Sequence, residues 1–163
     1  MITDKVFTME RSSIIDALVD IYLNQEYWHR KKLSKEKAYD YFNRLVYTGN
    51  IITHIQGGEL VGYVEFWRIT FGQFGRIICH SPFSAYQEDV QNGNIAYVAN
   101  TWIKPEYRNT QVYKALKLAF FQATYMCDYF VGEALRKKHR PVKVFKRSDF
   151  MGKYINKEGD NHG

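Results

Sequence analysis

The sequence predicts an α+β domain in which a mixed central sheet of about six strands is flanked by helices. Three observations carry this prediction. Two amphipathic helical stretches precede any paired strands, and a Gly57-Gly58 pair separates two β-rich runs. Then an apolar run at 95–103 leads through a short turn into a helix and on to another apolar run. Strands joined by a tight turn lie antiparallel, whereas strands joined by a crossover helix lie parallel, so the sheet must be mixed.

In chain order, Lys5 to Met9 reads as a short first strand. Ser12 or Ser13 is placed to cap a helix whose apolar residues Ile14, Leu18, Ile21, Tyr22 and Trp28 recur at helical spacing. A second helix follows Ser34, with Ala38, Tyr41, Phe42, Leu45 and Val46 on one side and Gly49 placed to end it. Asn50 to Gln56 and Leu60 to Ile69 form a hairpin about the two glycines. From Thr70 to Gly93 the pattern breaks into Gly, Pro and Ser with scattered aromatics, which reads as a long loop insertion carrying a short strand at Arg76 to Cys79. Loops of that length are uncommon unless functional or mobile.

Ile95 to Ile103 is the next strand. Thr110 to Met126 is a helix with Val112, Ala115, Leu116, Ala119 and Ala123 inward, and Asp128 to Gly132 is a strand parallel to the previous one. Pro141 suits the first turn of a short helix through about Arg147. A final strand follows, and Gly159 to Gly163 reads as a frayed tail. One domain over residues 1–158 accounts for the whole pattern.

At 163 residues with 45% hydrophobic and 17% aromatic content, the chain can bury one proper core and has no room for a second. It has no apolar run of about 18 residues, the length that reads as a membrane span. Its first residues lack the basic and then apolar order of a secretory signal. Cys79 and Cys127 without a Cys-x-x-Cys pair indicate neither a disulfide scaffold nor a zinc cluster, so a cytoplasmic location is expected. The net charge of +6 is local: Arg136 to Arg147 holds seven Lys or Arg and no acid, which leaves the rest of the chain close to neutral. Such a patch calls for an anionic partner, such as a cofactor phosphate, nucleic acid or an acidic protein, unless it is only a solvated face.

The junction after the 95–103 strand reads Trp102-Ile103-Lys104-Pro105-Glu106-Tyr107-Arg108-Asn109-Thr110-Gln111-Val112-Tyr113. The first amides of a helix lack intrahelical acceptors and sit at the positive end of its dipole, which makes such a turn a natural anion site. Ile103, Pro105, Glu106, Tyr107 and Arg108 match in order the central motif of the GCN5-related (GNAT) acyl-CoA N-acyltransferases. In that family a strand ending Val-x-Pro-x-x-Arg is followed by Gly-x-Gly/Ala and a helix. The chain resembles this family in element order over nearly its whole length and in motif wording over about Trp102 to Leu116.

The resemblance implies a GNAT-like fold whose central parallel pair splays apart. It also implies acetyl-CoA as cofactor, acetyl transfer to an amine of unknown identity, and Trp102, Ile103, Arg108, Asn109, Thr110, Gln111, Val112 and Tyr113 as cofactor-binding residues. The two small positions of the family fall on Gln111 and Tyr113, so the chain looks like a degenerate member. Glycine serves such places because it has no Cβ and tolerates unusual dihedrals.

Acyl transfer needs a group to take the amine proton and one to supply a proton to the leaving thiolate. A tyrosine of the family, in wording like Leu-Tyr-x-x-x-Gly-Phe on the helix after the fifth strand, serves as that acid. The comparable words here are Val144 to Phe150, in which Phe145 has no hydroxyl and reads as a core residue, and Asp149 replaces the glycine. The 95–103 strand contains no carboxylate. Glu65 on the preceding strand is the best-placed base, and Tyr97, His54 and His80 could act through water. No metal site is expected, since no His-x-x-x-His or His-Glu-x-x-His occurs, and no Gly-x-Ser-x-Gly elbow is present.

Three functions compete. The first is an acyl-CoA-dependent N-acyltransferase with a degenerate cofactor loop. The second is a non-catalytic binding or structural module on the same fold. Degenerate acetyltransferase-like proteins carried by tailed bacteriophages, including internal virion proteins, are similar, and the richness in Lys, Asn and Tyr suits such a genome. That reading extends the location to host cytoplasm or virion, and the assemblies to a homodimer or a virion assembly. The third is a nucleic-acid-binding or nucleobase-modifying relative that uses the 136–147 cations.

Overall fold

The computed structural model describes residues 9–25, 33–78, 93–133 and 142–149. Helices α1 (Arg11–Asn24) and α2 (Lys35–Thr48) come first, followed by strands β1 (Ile51–Gln56) and β2 (Glu59–Ile69). Helix α3 (Phe71–Ile78), strand β3 (Ile95–Ile103), a 3-10 turn at Pro105–Tyr107, helix α4 (Gln111–Ala123) and strands β4 (Tyr129–Glu133) and β5 (Val142–Lys146) complete the order. The strands form one mixed sheet in the order β1-β2-β3-β4-β5. The chain divides into two compact units, Met1–Glu65 with Asn100–Gln122 and Phe66–Ala99 with Ala123–Gly163.

In the first unit, α2 is fixed at both ends by its sequence. Ser34 accepts a hydrogen bond from the Lys37 amide at 3.3 Å, and Gly49, at φ 76°, closes the helix with its N–H on the Leu45 carbonyl. Its inward face is Ala38, Phe42 and Leu45, as the spacing predicts. Helix α1 buries Ile15, Leu18 and Val19 instead of the stripe centred on Ile14 and Ile21. Both stripes have helical spacing and share Leu18 and Tyr22, whose ring lies edge-on to Phe42 of α2 at 5.8 Å, and the buried face is turned toward Ile15 and Val19. Helix α1 starts at Arg11, so Ser12 and Ser13 fall inside its first turn and do not cap it. Gly57 and Gly58, at φ 61° and 76°, make the two-residue turn, and Gln56 pairs antiparallel with Glu59.

In the second unit, Ile95 to Val98 pair in parallel with Tyr129 to Gly132, as a crossover helix demands. That register stops at Val98, while β3 continues to Ile103. Two expectations are corrected here. The strand foreseen at Arg76 to Cys79 is instead the helix α3, started by a reciprocal cap: the Gln73 amide donates to Thr70 Oγ1 at 3.2 Å, and the Thr70 amide to Gln73 Oε1 at 2.8 Å. The short helix foreseen after Pro141 is instead β5, antiparallel to β4 from Glu133↔Val142 to Tyr129↔Lys146. Two valines and a phenylalanine within five residues favour the strand, and β4 offers the free edge.

The expected first strand apart from Met9, the final strand and the tail lie outside the described residues, as do Trp28, Cys79 and His80. Among the described residues no helix is long and apolar enough to cross a membrane.

Candidate cofactor cleft

Strand β3 ends at Ile103, and the chain is then held in place residue by residue. The Lys104 amide donates to the Val61 carbonyl at 2.8 Å, and its ammonium pairs with Glu59 and, at 3.6 Å, with Glu106. The bond to Glu59, aided by Glu106, raises the Lys104 pKa, so this cation is committed to its neighbours. Pro105 opens the 3-10 turn, which the Tyr107 and Arg108 amides close on the carbonyls of Lys104 and Pro105. Asn109 then takes a left-handed backbone, φ 62°, the conformation that asparagine tolerates better than most residues. Thr110 caps α4: its hydroxyl accepts from the Val112 amide at 3.3 Å and donates to the Tyr107 carbonyl.

This path shapes an open cleft of about 780 Å³. Ile103, Arg108, Asn109, Thr110, Gln111 and Tyr113, all expected from the sequence, line it, together with Lys114, which the sequence reading did not single out. Arg108 is exposed, and its Nε donates to the Ile103 carbonyl at 3.2 Å, which orients the guanidinium and leaves its terminal N–H groups for a ligand. The Gln111 and Tyr113 amides lie in the first turn of α4, where no intrahelical acceptor exists. These groups fit a diphosphate: a planar cation and helix-start amides converge on one concavity. The left-handed residue the turn needs is Asn109, so Gln111 and Tyr113 keep ordinary helical backbones and present side chains to the cleft.

Two of the expected cofactor residues stand outside the lining. Val112 is buried beneath Gly62, and its amide is engaged by Thr110. Trp102 stacks on Tyr63, with centroids 6.1 Å apart and planes 25° from parallel. Beside that pair, Asn100 Nδ2 donates to the Tyr63 hydroxyl at 2.9 Å and to Gln25 Oε1 at 3.4 Å.

Glu65 lies on β2 and is 6% exposed, and the Tyr41 hydroxyl from α2 donates to its Oε1. Tyr97, on β3 in the second unit, is buried. His54 sits half-buried on β1 opposite Gly62. Phe145 corrects an expectation: it is on β5, not on a helix, and 43% exposed, so it is neither core nor in the place of the family's acid. Of the basic stretch 136–147, only Val142 to Arg147 are described, with Lys143 and Lys146 exposed on β5. No cluster of three potential metal ligands occurs among the described residues.

No family model matches the chain. No curated protein matches it in sequence. Solved structures do match it in fold. The loading GNATL domain of CurA from Lyngbya majuscula is similar with a TM-score of 0.51 at 12% identity, over 77% of this chain and 62% of that one. A GphF GNAT-like decarboxylase in complex with isobutyryl-CoA gives 0.49 at 18% identity, over 77% and 64%. An N-acetyltransferase from Staphylococcus aureus Mu50 gives 0.47 at 13% identity, over 75% and 66%. The chain spans less than two thirds of the length of the first two. The likeness to the CurA domain shows the fold: a GNAT-like mixed sheet with a parallel β3 and β4, flanked by helices.

Proposed function

We propose that the chain is an acyl-CoA-dependent N-acyltransferase that holds the diphosphate of its acyl donor in the cleft at the start of α4. One observation carries this: Arg108 and the uncapped amides of the first α4 turn meet in one open concavity directly after β3, on a GNAT-like sheet. Acyl-CoA would supply a thioester carbonyl open to attack by an amine. The residues of the chain do the rest. Arg108 and the Gln111 and Tyr113 amides bind phosphate oxygens. Glu65 takes the proton from the attacking amine, directly or through water, and passes it on through water to the leaving sulfur. Tyr41, donating to Glu65 Oε1, holds that carboxyl in place.

Calorimetric titration of the purified protein with acetyl-CoA, followed by an assay for thiol release with a panel of amines, tests the proposal. Saturable binding with turnover is the expected result. Binding without turnover would move the conclusion to a non-catalytic GNAT-fold module. No heat at millimolar acetyl-CoA would overturn the cleft as a CoA site.

A further inference from the structure

We infer that Tyr113 is a stacking platform for a purine base, so that the cleft recognises the adenosine end of its ligand by a ring as well as by phosphate contacts. The inference rests on the acyl-CoA reading and adds to it a side chain, since the diphosphate contact uses only the Tyr113 amide. It starts from a conflict. A large aromatic side chain stands at the third position of α4 and lines the cleft, yet 51% of it remains exposed. A ring that merely filled the concavity would be covered by its walls, and a ring belonging to the core would be buried.

What the ring does touch is a cation. Lys117, one helical turn on, places its ammonium 5.6 Å from the ring centroid. Arg108 and Lys114 line the same cleft. An exposed aromatic ring that carries one cation, in a cleft lined by two more, is an arrangement that binds nucleotides: the base stacks on the ring and the phosphates meet the charges. A diphosphate alone would need no ring, and an apolar ligand would not call for three cations. Adenosine bearing phosphates on its ribose satisfies both halves of the site.

The test uses calorimetry on wild type, Tyr113→Phe and Tyr113→Ala with three probes: coenzyme A, 4'-phosphopantetheine and adenosine 3',5'-bisphosphate. Circular dichroism checks that both variants fold, and Tyr113→Phe keeps the ring should the alanine variant fail to do so. Stacking predicts that Tyr113→Phe binds like wild type. It predicts that Tyr113→Ala raises the dissociation constants of coenzyme A and of the bisphosphate by about tenfold, within the range for one stacked base, and leaves phosphopantetheine unchanged.

Equal weakening for phosphopantetheine, or tighter coenzyme A binding once the ring is removed, would overturn the inference and make Tyr113 a general contact or an obstruction. If wild type binds the bisphosphate through Tyr113 but not coenzyme A, stacking stands and the acyl-CoA reading falls. If it binds neither, both fall.

Discussion

Leu116 Cδ1 lies 2.9 Å from the point where a Cβ on Gly62 would stand, so helix α4 rests on bare backbone of β2. The same point is 3.3 Å from the Trp102 carbonyl and 3.4 Å from Val112 Cγ1, which leaves no direction for relief. Gly62→Ala should therefore destabilise the fold by about 1–3 kcal/mol, the usual cost of an extra methyl in a packed core. Urea denaturation measures it. In the double variant with Leu116→Ala the two costs should fall short of additivity, because the shortened side chain removes the clash.

Arg108→Ala should weaken acetyl-CoA binding by about 1.5–3 kcal/mol, the range for a hydrogen bond to a charged group. Thermal stability should change little, since the side chain is exposed and its one internal bond, to the Ile103 carbonyl, is replaceable by water. An unchanged dissociation constant would remove Arg108 from the site.

Glu65→Gln should lower turnover by roughly 10²–10⁴-fold, the usual contribution of general base catalysis, with the acetyl-CoA dissociation constant held. Tyr41→Phe removes the hydroxyl that donates to Glu65 and should lower turnover with acetyl-CoA binding held, because the carboxyl loses a bond that orients it. Unchanged turnover would mean that Tyr41 serves packing alone.

Burial is the main cause that raises the Cys127 thiol above its ordinary range, and the arginines Arg68 and Arg147 only partly oppose it. The sign for stability follows from linkage. The native state keeps its proton longer than the unfolded chain, so the contribution is intact below the ordinary thiol range and is lost as pH rises through the higher folded value. Peptide mapping after iodoacetamide at neutral pH should find Cys127 unmodified in the native protein and labelled in urea.

Asn109→Val should destabilise by about 1–2 kcal/mol, the cost of a left-handed backbone for a residue with a Cβ that resists it. Asn109→Gly should be neutral or mildly stabilising. Thermal melts of the two variants decide whether that backbone is under the demand seen here.

Where local chemistry decides the structure, the residues already announce it. Ser34 and Gly49 bound α2, Gly57-Gly58 make the hairpin, and the 95–103 run becomes β3 with its stated ends. Where a partner decides, they do not. The 142–146 run becomes a strand because β4 offers an edge, and no local pattern records that edge. Helix α3 is a different kind of miss: Gly72 and Gly75 argue for a loop, but Thr70 and Gln73 spell a capping box that could have been read. In the cleft, the motif residues from Arg108 to Thr110 were legible by order, while the burial of Val112 and the stacking of Trp102 depend on Gly62 and Tyr63, far away in sequence. Lys114 was missed because the resemblance gives that position no ligand role and only the helix turn brings it round to the cleft.

The left-handed backbone at Asn109 separates two demands that one glycine-rich loop would otherwise have to meet together. The bend is set at 109, and the side chains at 111 and 113 can differ without altering the course of the chain. Ligand preference at this cleft is therefore an adjustable property: a library randomised at Gln111 and Tyr113 alone should sample different chemistries on an unchanged backbone, where the same changes in a loop that relied on glycine there would collapse its shape.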